Sequence, residues 1–227
     1  MSVATARREF GSGPLARAAA LIYTLLAAGL LVLLTAAPGL AVLVLLSRDA
    51  SNLPMVAACA LPLGPAVSAL LYTLHRVGDL TDLRPARVFW HGYRANFRGV
   101  LGIWLPLLAW LTVLTLNLTH LPAAGLPGWW AVPLALVAVA ALLWGANALV
   151  ITSLFAFRVR DVARLAGRYL TRIPSVPLGV LGLLAVAGCG TALWSEAVLM
   201  LLLPVLALAL LRTSQPMIND IQKEFTA

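Results

Sequence analysis

The sequence predicts an all-α, polytopic membrane helix bundle with six transmembrane helices. Three observations predict it. First, 62% of the 227 residues are hydrophobic and only 11% are charged, whereas soluble domains run at about 45–50% apolar and about 25% charged. Second, the apolar residues fall in long runs of the length that crosses a bilayer, about 20 residues. Third, the basic residues alternate between segments in the way the positive-inside rule requires.

Span 1 is expected at 18–46, with Pro38-Gly39 kinking it or ending its regular part. The Arg7, Arg8 and Arg17 leader before it could suggest a signal peptide, but the apolar stretch is too long for an h-region of about 7–15 residues. Residues 1–17 are therefore read as a cytoplasmic leader ahead of an uncleaved span. Span 2 is expected at 54–74, and Pro62, Gly64 and Pro65 within it predict a kink or local break. Irregular backbone at that depth must be covered by neighbouring helices or line a cavity. Spans 3 to 6 follow at 99–121, 129–157, 176–193 and 197–211, the last being short, and residues 213–227 are read as a polar cytoplasmic tail. The Trp194-Ser195-Glu196 turn between the last two spans is tight. One membrane domain is expected, with no soluble domain attached.

Lys plus Arg, taken segment by segment from the N-terminus, numbers 3, 1, 5, 0, 5, 0 and 2. Alternate segments thus hold 15 against 1, which places both termini in the cytoplasm. Trp129, Trp130 and Trp194 fall at the outer ends, where an aromatic belt is expected. The net charge of +8 is accounted for by topology and anionic lipid, so nucleic acid is not an expected partner. Fifteen of the sixteen basic residues are Arg, which with the abundance of Ala and Leu suggests a GC-rich bacterial genome.

The two long basic segments carry helical patterning. At about 100° per residue, Phe89, Trp90, Tyr93 and Phe97 cluster on one face, and Arg87, His91, Arg94 and Arg98 on the adjoining one. That pattern predicts an interfacial helix with rings in the acyl boundary and guanidinium groups at phosphates. In 158–172, Val159, Val162, Ala166, Tyr169 and Leu170 lie opposite Arg160, Arg164 and Arg168. Ordinary loops with topogenic arginines are the alternative for both. The bilayer is the expected partner of these residues.

Gly99-Val100-Leu101-Gly102 recurs as Gly179-Val180-Leu181-Gly182, an offset of 80 that lays span 2 on span 4 and span 3 on span 5. A parallel duplication would produce this, and so would chance in a chain rich in Leu, Gly and Val.

Candidate chemistry is sparse. Gly11-Ser12-Gly13-Pro14-Leu15-Ala16 fits a dinucleotide fingerprint in letters only, because no βαβ unit surrounds it. Cys59 and Cys189 lie in apolar runs without metal or redox spacing, and His75, His91 and His120 are scattered. Neither a metal nor a cofactor is expected. The span interiors hold no Asp, Glu, Lys or Arg; their polar residues are Thr35, Ser68, Tyr72, Thr112, Thr115, Asn147, Thr152 and Ser153. Such groups more often bond helix to helix than line a substrate path. Pro62, Gly64, Pro65, Ser68, Tyr72 and Asn147 are the candidates for an intramembrane polar or kink site. Asp49, Asn117, His120 and Glu196 lie towards the outer face, where each would meet water or all would converge on a polar site. Ala141 and Gly145 have the small-xxx-small spacing of a helix interface.

The stretch Leu61-Pro62-Leu63-Gly64-Pro65-Ala66-Val67-Ser68-Ala69-Leu70-Leu71-Tyr72, followed by Phe89-Trp90-His91-Gly92-Tyr93-Arg94-Ala95-Asn96-Phe97-Arg98, resembles the YesL-like family of bacterial membrane proteins. The family is a domain of unknown function whose genes often lie beside those for sugar-uptake ABC transporters and glycan-degrading enzymes. The resemblance covers about residues 18 to 212. It implies an auxiliary role in carbohydrate uptake, with ABC sugar-transporter subunits as partners, and brings no catalytic residues. The long, separate first span departs from the shorter family pattern.

Three readings follow, in order of preference. The first is a non-enzymatic accessory or scaffold subunit of a sugar transporter. The second is a small solute transporter or channel acting on its own, suggested by the Pro62-Gly64-Pro65 break. The third, a membrane enzyme, would need acids or bases to converge from Asp49, His120 and Glu196. No enzymatic activity is expected, and the sequence leaves the oligomeric state open.

Overall fold

The structure is a computed structural model that describes residues 14–47, 49–76, 84–193 and 196–225. Arg7, Arg8, the 11–13 glycine pair, Trp194 and Ser195 lie outside the described residues. All regular structure among the described residues is helical. The helices are α1 (Pro14–Leu45), α2 (Leu53–Cys59), α3 (Leu63–Arg76), α4 (Pro85–His120), α5 (Ala131–Leu154), α6 (Val159–Arg172), α7 (Ser175–Leu193), α8 (Glu196–Thr213) and α9 (Gln215–Phe225), with short 3-10 turns at Ala50–Asn52 and Gly128–Trp130.

Among the described residues, four helices are long and apolar enough to cross a membrane, and two further bent pairs bring the number to six if each pair is one span. The outer surface agrees with lipid as the solvent. Along α1, Ile22, Leu26, Leu30 and Leu34 form an i, i+4 stripe and are each more than half exposed. A continuous apolar stripe of that kind is a liability in water and the normal state in a bilayer. The protein is therefore a polytopic helical membrane bundle.

The centre of the bundle is α3. It packs against α1, α4, α5 and α8, and Ala66, Ala69, Leu70 and Leu71 are completely enclosed. Small residues let four neighbours approach one short helix, the means by which membrane helices gain packing where no hydrophobic drive exists between them. Gly145 of the Ala141–Gly145 pair faces Leu107 of α4.

Span 2 is broken as expected. α2 and α3 are bent by 41° across residues 60–62. Pro62 and Pro65 remove two backbone donors, so the ladder cannot run through. Of the two outcomes expected at Pro38, an end to the helix does not occur: α1 continues through Pro38 to Leu45. One proline removes one ladder bond, and the remaining i→i−4 bonds carry the helix past it. The fourth span stops at Leu154, with Phe155 already extended.

The first basic segment is not a separate surface helix. Pro85–His120 is one 36-residue helix, which at 1.5 Å per residue is about 54 Å long, well beyond the roughly 30 Å hydrocarbon core. Nothing between Arg98 and Val100 stops a helix; Gly99 alone costs only about 1 kcal/mol. Proline sits at the helix start, at Pro85, where it is tolerated, and again inside the helix at Pro106, where it removes one ladder bond. The second basic segment does form its own amphipathic helix, α6. It buries Val162, Leu165, Ala166 and Tyr169 and exposes Arg160, Arg164 and Arg168. The expected polar tail is also a helix. In α9, Met217, Ile218 and Ile221 are buried, and the helix turns 51° away from α8.

The two glycine tetrads meet unlike surroundings. Gly99 and Gly102 face Thr152 and Val159, Gly179 faces Thr213, and Gly182 faces open space. Their host helices differ in length too, 36 residues for α4 and 19 for α7.

Candidate functional site

The break in span 2 is closed by a side chain from α4. Trp104 donates its indole N–H to the Ala60 carbonyl at 3.0 Å. That carbonyl would have served the helix ladder had α2 and α3 been continuous. Leu63 N–H also reaches it, at 3.2 Å. The ring fits because residue 64 is glycine: a Cβ there would lie 2.5 Å from Trp104 Cγ. Pro62 forms the corner itself, while Gly64 and Pro65 are buried in the first turn of α3. The expected kink site is thus a sealed joint.

One turn further along α3, three polar side chains meet. Ser153 Oγ (α5) lies 2.9 Å from Ser68 Oγ (α3) and also reaches the Leu149 carbonyl. A hydroxyl has one proton; if Ser153 gives its own to the carbonyl, Ser68 is the donor across the helix pair. Asn96 (α4) donates Nδ2 to the Ser153 carbonyl at 3.1 Å and approaches Ser68 Oγ at 3.5 Å. Ser68 and Ser153 are buried, so the cluster binds three helices together by mutual satisfaction. Ser68 stands out in the sequence as a polar residue inside a span; Asn96 does not, because it precedes the apolar run of span 3 among residues of surface character.

Tyr72 stands at the end of α3. Its ring lies 6.0 Å from the His91 ring, with the Arg76 guanidinium 4.7 Å above it. Gly92 makes room, since a Cβ there would be 2.6 Å from Tyr72 Cδ1. Asn147 stands apart. It is completely buried in α5, and neither amide atom has a partner among the described residues.

On α4 the aromatic and basic residues form two adjoining strips. Phe89, Trp90, Tyr93 and Phe97 make a ladder of ring contacts 5.6–6.3 Å apart. Phe89 is fully enclosed in the core and not at a lipid boundary; it lies on the wheel edge farthest from the basic strip, turned towards the other helices. Trp90 and Phe97 are about 40% exposed. Arg87, Arg94 and Arg98 are exposed and make no ion pair among the described residues. Arg87, Trp90, His91, Arg94 and Ala95 line an open groove of about 700 Å³.

α6 is fixed from two sides. Trp144 Nε1 donates to the Ala163 carbonyl at 3.0 Å. At the other end, Tyr169 donates its hydroxyl to Asp220 at 2.8 Å, and Arg172 pairs with Asp220 at 3.3 Å and Glu224 at 2.7 Å. Burial, the Asp220 acceptor and the carboxylates of Asp220 and Glu224 push the Tyr169 phenol up to about 12, against the pull of Arg172. The hydrogen bond to Glu224 and both carboxylates raise Arg172 as well. This clasp joins α6 to α9 and was missed because residues 213–227 read as a tail. Arg160, Arg164 and Arg168 remain on the outward face, 40° apart on the wheel, with no ion pair among the described residues.

At the opposite end of the bundle, Asn117 and His120 share a small cleft of about 170 Å³ with Trp130 and Leu134. Their Nδ2 and Nδ1 atoms are engaged with the Val113 and Leu116 carbonyls of their own helix. Asp49 is not part of that cleft; it accepts from Ser51 at 3.1 Å. The Glu196 side chain lies outside the described ones. Trp129 and Trp130 stack at 4.8 Å.

Residues 19–118 match the family described as "Protein of unknown function, DUF624". That stretch contains the sealed joint, Ser68, Asn96 and both strips of α4. No curated protein and no solved structure matches the chain.

Proposed function

We propose that this membrane protein is a non-catalytic accessory subunit of an ABC-type carbohydrate uptake system, seated in a bacterial inner membrane with its basic end in the cytoplasm. The observation that carries the reading is the outward face of α6. Three arginines stand on a helix held by Trp144 and by the Tyr169–Asp220–Arg172–Glu224 clasp. A charged surface on a backbone held this firmly suits a partner with an acidic segment, because little backbone freedom remains to be lost on docking. The carbohydrate setting is drawn from the resemblance to the YesL-like pattern alone. The distribution of Lys and Arg supports the orientation.

The test is capture of the tagged protein from its native membrane in a gentle detergent, with mass spectrometry of what accompanies it. Permease or solute-binding subunits are expected, and replacing Arg160, Arg164 and Arg168 together by Gln is expected to reduce their recovery severalfold. Recovery of the protein alone, or recovery indifferent to the substitution, would overturn the reading.

A second reading, a solute transporter acting alone, is favoured by Asn147, whose unpartnered amide is the kind of group a transported solute or water would satisfy. Solute flux into liposomes containing only this protein would establish it. The third, a membrane enzyme, lacks a convergent site in the described residues, since Asp49 and His120 occupy separate places.

A further inference from the structure

We infer that the basic strip of α4 is a headgroup site for an anionic phospholipid of the leaflet at the basic end. This goes beyond the accessory reading and does not depend on it.

Arg87, His91, Arg94 and Arg98 follow i, i+4, i+7, i+11 spacing and fall within about 60° of the wheel. Because α4 is continuous, this strip does not lie flat in the membrane plane; it climbs out of the membrane along the same helix that spans it. Arg98 stands one residue before the apolar run that begins at Gly99. Arg94 is about 6 Å further out at 1.5 Å per residue. The headgroup layer is itself about 5–7 Å thick on each side. Arg94 and Arg98 therefore span the depth of lipid phosphates, while His91 and Arg87 carry the positive field beyond them into the groove of about 700 Å³.

The chemistry of the flank fits lipid better than a water-soluble acidic partner. Phe97 and Trp90 are exposed next to the arginines and are held in line by contacts through Tyr93. A ring at the boundary beside a guanidinium is the arrangement that takes an acyl chain and its phosphate together. No Asp or Glu occurs between Asp82 and Asp161, so α4 offers the arginines no counter-charge of its own. Guanidinium groups also bind phosphate in bidentate fashion, which a lysine cannot.

The test uses the whole protein in detergent, supplied with phosphatidylglycerol and phosphatidylcholine in equal amounts, with retained lipid measured by native mass spectrometry. Wild type is expected to retain phosphatidylglycerol preferentially. Arg94→Gln with Arg98→Gln should lower that preference by roughly fivefold per arginine, and Arg94→Lys with Arg98→Lys should restore part of it. The Gln substitutions at Arg160, Arg164 and Arg168 should leave it unchanged. Both sets of side chains are exposed, and an unaltered elution profile controls for folding. Excess inorganic phosphate should not displace the lipid; displacement would mean that the strip holds free phosphate. Equal retention of the two lipids, or retention indifferent to Arg94 and Arg98, would overturn the proposal.

Discussion

The indole N–H of Trp104 donates to the carbonyl of Ala60 at 3.0 Å, from one helix to the break in another. A broken span exposes backbone acceptors where no water can serve them, and this bond supplies one of the missing donors.

Trp104→Phe keeps the ring and removes the donor. Losing this bond, with the Leu63 N–H still on the carbonyl, costs about 0.5–1.5 kcal/mol, so the variant should unfold at a lower temperature in detergent. Gly64→Val should be worse, since its side chain would occupy the space of the ring. Unchanged melting of Trp104→Phe would show that the Leu63 N–H, also on that carbonyl, suffices alone.

Asn147 is expected to behave in the opposite way. Its amide is enclosed with no partner among the described residues, a condition that costs roughly 1–3 kcal/mol in protein mutational data. Asn147→Leu, of similar volume, should melt at the same or a higher temperature. Ser153→Ala removes a satisfied hydroxyl, leaves Ser68 short of a partner and should melt lower. A marked loss of stability in Asn147→Leu would mean that the amide has a partner after all, such as a water molecule.

The α6–α9 clasp gives a pH dependence with a definite sign. Tyr169 is held neutral by burial and by Asp220, its value raised from 10 to about 12. A raised folded-state value stabilises the fold below the unfolded value and is lost as pH climbs through the folded one. Stability should therefore fall between about pH 10 and pH 12, and Tyr169→Phe should flatten that fall. Spectroscopic titration of tyrosinate, wild type against variant, locates the group. If Tyr169 ionises near 10, the clasp does not protect it.

The bundle and the break in span 2 were legible because they rest on features local in sequence: apolar run length, and prolines whose missing donors no context can restore. The amphipathic face of α6 was legible for the same reason. The continuity of α4 was not, because composition changes at Arg98 and Gly99 while backbone preference does not. Asn96 and Trp104 lay hidden because each acts across helices, on Ser153 and on Ala60. Phe89 was placed on the wrong side because a wheel shows which residues share a face and leaves open what that face meets. α9 was missed because only Met217, Ile218 and Ile221 mark its buried side.

The accessory reading rests on the basic end lying in the cytoplasm, and labelling of introduced cysteines tests that most directly. With Cys59 and Cys189 replaced by Ala, single cysteines at Ser51, Ala124, Thr171 and Lys223 would be exposed to a membrane-impermeant maleimide on intact cells. The account predicts labelling at Ser51 and Ala124 at once, and at Thr171 and Lys223 only after the membrane is opened. Labelling of Thr171 or Lys223 on intact cells would contradict it, and would place the arginines of α6 on the wrong side for the partner proposed.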